Sequence, residues 1–185
     1  GGYTANAGTL ENGNTVTVRH TSSDSFSDSI NTTLTIGGVK TTFTSITLAE
    51  KTTPDAFAFT GQPNVTRSTL MTSNTITVSG INTAVAISVT GTGGEYSING
   101  GGYTANAGTV EDDDEVTVRH TSSDSFSTPT NTALDIGGVK ANFTSITVAA
   151  ITTPDPFSLT DQTDVARSTL MTSNTITVSG IEAAA

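Results

Sequence analysis

Residues 67–81 read RSTLMTSNTITVSGI, and within 74–81 the apolar Ile76 and Val78 alternate with Thr75, Thr77 and Ser79. A period of two places Ile76 and Val78 on one face and the hydroxyls on the other, the signature of a half-buried β-strand. Working outward, Val85, Ile87 and Val89 share a face, as do Tyr96 and Ile98 before the Gly100–Gly102 turn. Val116 and Val118 point inward from 115–121, and Leu134 and Ile136 from 132–136. Phe143 has the opposite parity to Ile146 and Val148, which predicts a bulge around Thr144–Ser145. A first strand around Phe157 and Leu159, equivalent to Phe57 and Phe59, brings the expectation to about seven short strands per module. No 3.6-residue period competes with this pattern.

Composition agrees. The chain has 185 residues with 40 Thr, 20 Ser and 18 Gly, but only 13% charged residues, so its surface is hydroxyl-rich rather than ionic. Threonine on the outward face keeps a strand β-branched and soluble. A net charge of -10 repels phosphate backbones and anionic lipid, which argues against nucleic-acid partners and membrane-surface binding. The absence of cysteine removes disulfides, thiolate nucleophiles and cysteine-held metals. No apolar run approaches the roughly 20 residues that cross a bilayer as a helix, so no membrane insertion is expected. Without an initiator methionine or a leader pattern, the chain reads as a mature or excised segment of something larger.

Self-comparison sets the organisation. GGYTANAGT at 1–9 returns at 101–109, VTVRHTSSDSFS at 16–27 returns at 116–127, and RSTLMTSNTITVSGI at 67–81 returns at 167–181. Every offset is 100, and 60 of the 85 aligned positions are identical without insertion. Thr52-Thr53-Pro54-Asp55 and Thr152-Thr153-Pro154-Asp155 spell joints between modules. Residues 52–150 are then one complete repeat, 1–51 the C-terminal half of a preceding repeat, and 151–185 the N-terminal part of a following one.

Short strands with turns every 8 to 12 residues indicate an all-β, two-sheet sandwich. TTPDPF (152–157), GEYSINGGGYTANAGTV (94–110), VTVRHTSS (116–123) and IGGVKANF (136–143) resemble the tandem bacterial Ig-like modules of large secreted or cell-surface proteins, of immunoglobulin or fibronectin III type. The resemblance implies tandem Ig-like β-sandwich repeats, an extracellular or cell-surface location, and a structural or adhesive role without catalysis. One departure is the turn before Val116. The family favours an Asn-Gly-Asp hairpin, close to Asn12-Gly13-Asn14, whereas the second copy carries Asp112-Asp113-Asp114.

Candidate chemistry is sparse. The acidic run Glu111, Asp112, Asp113, Asp114 and Glu115 offers hard oxygens for Ca²⁺, which takes six to eight at about 2.3–2.6 Å. The alternative is a solvated hairpin tip, and Glu11-Asn12-Gly13-Asn14-Thr15 in the first copy lacks most of that charge. No other cofactor is expected. His20 and His120 lie beside serines and aspartates, so a Ser/His/Asp arrangement can be drawn. However, His120 shares parity with Val116 and Val118 and lacks a nucleophile-elbow sequence, so it reads as a hydroxyl-paired residue at the rim of the core. The Gly91–Gly94 and Gly100–Gly102 stretches open no helix and read as hairpin turns rather than phosphate cradles. Asn31-Thr32-Thr33, Asn64-Val65-Thr66 and Asn142-Phe143-Thr144 fit the N-glycosylation triplet.

Two functional expectations follow, and neither is an enzyme. The first is a structural fibre, filament or surface stalk of end-to-end modules, whose partners are neighbouring copies or adjacent repeats, with strands exchanged between incomplete ends. The second is an adhesin that binds a glycan or surface protein through loops at one end. The loops that differ most between copies are 110–115, 128–130 and 161–166.

Overall fold

A computed structural model describes residues 2–182, which form two compact units, Gly1–Glu50 and Lys51–Ala185. In the first, strands β1 (Ser29–Ile36) and β2 (Val39–Ile46) form an antiparallel hairpin in register from Ser29↔Ile46 to Ile36↔Val39. Its two-residue turn, Gly37-Gly38, has φ of 58° and 87°. Both values lie where only glycine is unstrained, which is why the Gly-Gly pair decides the register.

The second unit carries β3 (Gln62–Val65), β4 (Leu70–Thr72), β5 (Ile76–Thr77), β6 (Val85–Thr90), β7 (Glu95–Ile98), β8 (Gly108–Val110), β9 (Glu115–Thr121), β10 (Pro129–Ile136) and β11 (Val139–Thr147). One sheet has the order β3-β11-β10-β6-β8. The other is built on β9, with β4 and β5 following each other along one edge and β7 on the opposite edge. Ile76, Val78, Tyr96, Val116 and Val118 from the β9 sheet share a single buried cluster with Val85, Ile87, Val110, Leu134, Ile136 and Phe143. The fold is therefore all-β, with no helix among the described residues, and is consistent with a sandwich. Each fully buried side chain of this type contributes about 1.5–3 kcal/mol.

Local chemistry explains the interrupted edge. Between β4 and β5, Ser73 N–H donates to Val118 O at 2.9 Å, while Ser73 Oγ accepts from Val118 N–H at 3.0 Å. The side chain replaces a carbonyl, so the strand breaks without leaving a buried donor unpaired.

Three strand-level expectations are corrected, the first being the strand read over 74–81, which is confined to Ile76–Thr77. Residues 57–59 and 157–159 form no strand; Phe57 and Phe59 instead pack from a loop onto the core. The bulge predicted at Thr144–Ser145 is absent from the β10–β11 ladder, which runs unbroken from Pro129↔Ile146 to Ile136↔Val139. Ser145 and Thr147 keep the inward parity of Phe143, and Ile146 faces out at 40% exposure. The irregularity lies in β3, which pairs parallel to β11: Ser145↔Gln62 is followed by Thr147↔Val65, and Asn64 absorbs the extra residue at φ 57°.

Residues 151–182 contain no strand, yet keep the local hydrogen bonds of 51–82 at the same offset. Asp155 N–H donates to Ser179 O at 2.9 Å as Asp55 N–H does to Ser79 O at 2.8 Å, and Thr160 N–H meets Asn174 Oδ1 at 2.7 Å as Thr60 N–H meets Asn74 Oδ1 at 2.8 Å. The β1–β2 register repeats that of β10–β11 position by position, likewise shifted by 100.

Candidate functional site

The most organised polar group is His120, on β9. Alternation from Val116 and Val118 carries its ring inward, where it is fully buried rather than at the rim. Its Nδ1 lies 2.9 Å from Thr132 Oγ1 on β10 and its Nε2 lies 2.8 Å from Ser145 Oγ on β11. The ring also stacks on Phe143, with centroids 4.7 Å apart and planes at 29°. A neutral imidazole has one donor and one acceptor nitrogen, and each hydroxyl supplies the complement, so the group is satisfied in either tautomer. Burial holds the imidazole below its ordinary 6.5. Chemically this is a polar rivet joining two sheets: no carboxylate completes a triad, and Ser145 is sealed with it. The first unit builds the same constellation, with His20 Nδ1 to Thr32 Oγ1 at 2.9 Å, Nε2 to Ser45 Oγ at 2.7 Å, and the ring stacked on Phe43 at 4.7 Å.

The five acidic residues come together on the turn between β8 and β9 but not into a cage. Asp114 Oδ2 accepts from Glu111 N–H at 2.8 Å and its Oδ1 from Asn99 Nδ2–H at 2.7 Å. Asp112 Oδ1 accepts from Ile81 N–H at 3.4 Å. Asp113 takes φ 67°, where the first copy has Gly13 at 90°, and its N–H donates to Val78 O at 2.9 Å. Glu111 and Glu115 are exposed. The first copy clarifies the role of position 114, because Asn14 Oδ1 accepts from Glu11 N–H at 2.9 Å. The turn needs an acceptor there, which Asn and Asp supply equally. Among the described residues no group of three or more His, Asp or Glu could hold a metal ion.

Other features were not legible as a group. Arg119 donates from Nε to Glu95 Oε2 at 2.7 Å and lies over the Tyr103 ring at 3.9 Å; Arg19 lies over Tyr3 at the same distance. Tyr103 Oη meets Thr117 Oγ1 at 2.9 Å. The tyrosine-to-arginine spacing of 16 residues in both copies was the available signal. An open depression of about 520 Å³ is lined by hydroxyls, an amide and a carboxylate, including Thr92, Ser122, Thr130, Asn131 and Asp124. Asn31, Asn64 and Asn142 of the glycosylation triplets are all exposed. No helix among the described residues is long and apolar enough to cross a membrane.

Equivalent positions at the offset of 100 also differ in exposure. Phe43 is 48% exposed where Phe143 is sealed, and Val178 is 56% exposed where Val78 is 2% exposed.

No family model matches the chain, and no curated protein matches it. The S-layer protein SbsC, domains 4 and 5, aligns with a TM-score of 0.40 and 13% identity, over 66% of this chain and 58% of that one. The chain thus spans a little over half the length of that structure.

Proposed function

We propose that this chain is part of a structural array, a fibre, filament or surface stalk in which sandwich modules follow one another end to end. One observation carries the reading: residues identical at the offset of 100, such as Phe143 and Phe43 or Val78 and Val178, are sealed in residues 52–150 and open in residues 2–50 and 151–182. Apolar faces of this kind are not left in water by a finished monomer. In the complete module, residues 52–81 and 101–150 cover each other, so segments 1–51 and 151–185 are each half of such a pair, closed by a neighbouring copy or an adjacent repeat. The hydroxyl-rich, weakly charged surface and the resemblance to bacterial Ig-like modules support an extracellular or cell-surface setting and a role that is not catalytic.

The test is electron microscopy of the native material together with the mass of the intact polypeptide. Filaments or stalks with a repeat near one module length are expected. Dispersed globular particles overturn the reading. A second reading, adhesion at one end of the sandwich, draws on the open depression, which is lined in part by Pro129 and Thr130 of the divergent stretch 128–130, at the start of β10. Glycan or protein binding by the chain that is lost on Asn131→Ala favours it.

A further inference from the structure

We propose that a second copy of this chain covers the open faces, with residues 162–178 of one copy lying along residues 16–47 of the next in the register that Gln62–Val78 keep against Val116–Thr147. This rests on the end-to-end reading and names its joint. The template is internal. In the complete module β4 pairs with β9 as Leu70↔Thr121 and Met71↔His120, β5 as Ile76↔Val116, and β3 with β11 as Ser145↔Gln62. Shifted by 100, these become Leu170↔Thr21, Met171↔His20, Ile176↔Val16 and Ser45↔Gln162. Every residue on both sides of those four pairs is identical to its template. The bonds beside them carry over too: Ser73, whose side chain closes the β4–β5 break against Val118, is Ser173 facing Val18. Arg67, lying over Phe126 at 3.9 Å, is Arg167 facing Phe26.

Both halves hold part of their template's local structure before they meet, although 16–21 and 162–178 themselves form no strand. Residues 29–46 already hold the hairpin register, and His20 already bridges to Thr32 and Ser45. Residues 155–179 already hold their turns, including Gln162 Nε2–H to Thr172 O at 2.8 Å, as in Gln62 to Thr72. Meanwhile Leu170 is 94% exposed, and Met171 and Leu48 are also open. Preorganised pieces lose less conformational freedom on joining. Each copy donates once and accepts once, so the contact is head-to-tail and propagates an open filament. The pair supplies counterparts for 85 of the 100 positions in a repeat. The positions of β7 and most of β6 have no counterpart among those 85.

The absence of cysteine makes the register directly testable. Leu70 and Thr121 are both exposed and sit next to the Ser122 N–H to Thr69 O bond, so Leu170→Cys and Thr21→Cys test the joint without touching the core. The Ser122 N–H to Thr69 O bond makes 70↔121 a non-hydrogen-bonded pair, whose Cα atoms lie about 4.5 Å apart, within the range of about 4.4–6.8 Å that a disulfide spans. A mixture of the two single variants is expected to give a heterodimer on mild oxidation, and the double variant a ladder of oligomers. Thr169→Cys with Thr21→Cys, one residue out of register, is expected to cross-link at least about tenfold less. Val178→Asp is expected to weaken the Leu170–Thr21 cross-link by a similar factor while leaving the unfolding of residues 52–150 unchanged. Equal cross-linking in both registers, or none, overturns the inference. If none forms but the native material is a longer polypeptide that builds filaments, the array survives and its modules are closed covalently. If neither is seen, both readings fall.

Discussion

At His120 the chain places a titratable ring in the centre of an apolar core and supplies a hydroxyl to each nitrogen. Removing one partner leaves a buried polar atom unpaired, which costs about 1–3 kcal/mol. Ser145→Ala is therefore expected to lower the stability of the 52–150 module by that amount in urea titration, with Ser45→Ala, at a half-buried site, costing less. The ring also makes stability depend on pH. Burial holds the folded-state value below 6.5, so the unfolded state binds the proton first as pH falls. The contribution is fully present above 6.5 and is lost as pH drops from there through the depressed folded value. Urea midpoints measured between pH 7.5 and 4.5 are expected to decline on the acid side, with a shallower decline in His120→Gln. The groups packed on the ring are Thr132, Ser145 and Phe143, none of which titrates in that range. Parity in the sequence placed this histidine inward. Its complete burial was not legible, because its partners Thr132 and Ser145 are inward residues of a polar type that composition assigns to the surface.

Among the elements, turns carry the clearest consequences. Gly137 and Gly37 occupy the same left-handed position at φ 54° and 58°. A Cβ on Gly137 would stand 2.6 Å from Thr52 O and 2.9 Å from Pro54 Cδ, whereas one on Gly37 meets nothing within 4 Å. Gly37→Ala is expected to cost about 1 kcal/mol from backbone strain alone, and Gly137→Ala distinctly more, because the buried Pro54 joint is wedged against it. Thermal unfolding of the two variants checks the difference. The acidic turn separates charge from hydrogen bonding in the same way. Asp114→Asn is expected to change stability by less than about 0.5 kcal/mol and Asp114→Ala to cost about 1 kcal/mol, since Asn14 already performs that task in the first copy. Millimolar Ca²⁺ is expected to leave the melting temperature unchanged; a rise would show that the run binds the ion. The strand Glu115–Thr121 was legible to the residue, whereas 74–81, which alternates as strictly, forms a strand only at Ile76–Thr77. The edges were not. Phe57 and Phe59 alternate like a strand but pack from a loop, and Ile146 is an outward apolar residue between two inward hydroxyls, which reverses the pattern that parity relies on.

For the molecule as a whole, the 100-residue repeat was legible and the local hydrogen bonds respect it, yet identical sequences differ in burial according to what lies across from them. Phe143 and Phe43 share a hairpin register and a stacked histidine yet differ in burial, and Val78, bonded to Asp113 and Asp114, is buried where Val178 is open. Local geometry is thus written within each segment, and protection from solvent is written between segments. Amide hydrogen exchange separates the two. In dilute solution, slow exchange is expected for amides of β9, β10 and β11 in the complete module, with Val118, Leu134 and Phe143 among the slowest. The corresponding amides of Val18, Leu34 and Phe43, and those of 162–178, are expected to exchange faster by two or more orders of magnitude, because the β1–β2 hairpin is open to water on one side and Val18 and 162–178 lie in no strand. Raising the protein concentration supplies the missing face from other copies, so protection at 16–47 and 162–178 is expected to rise together while that of β9–β11 stays constant. Protection that rises in only one of the two segments, or in neither, would mean that the exposed faces do not recognise each other.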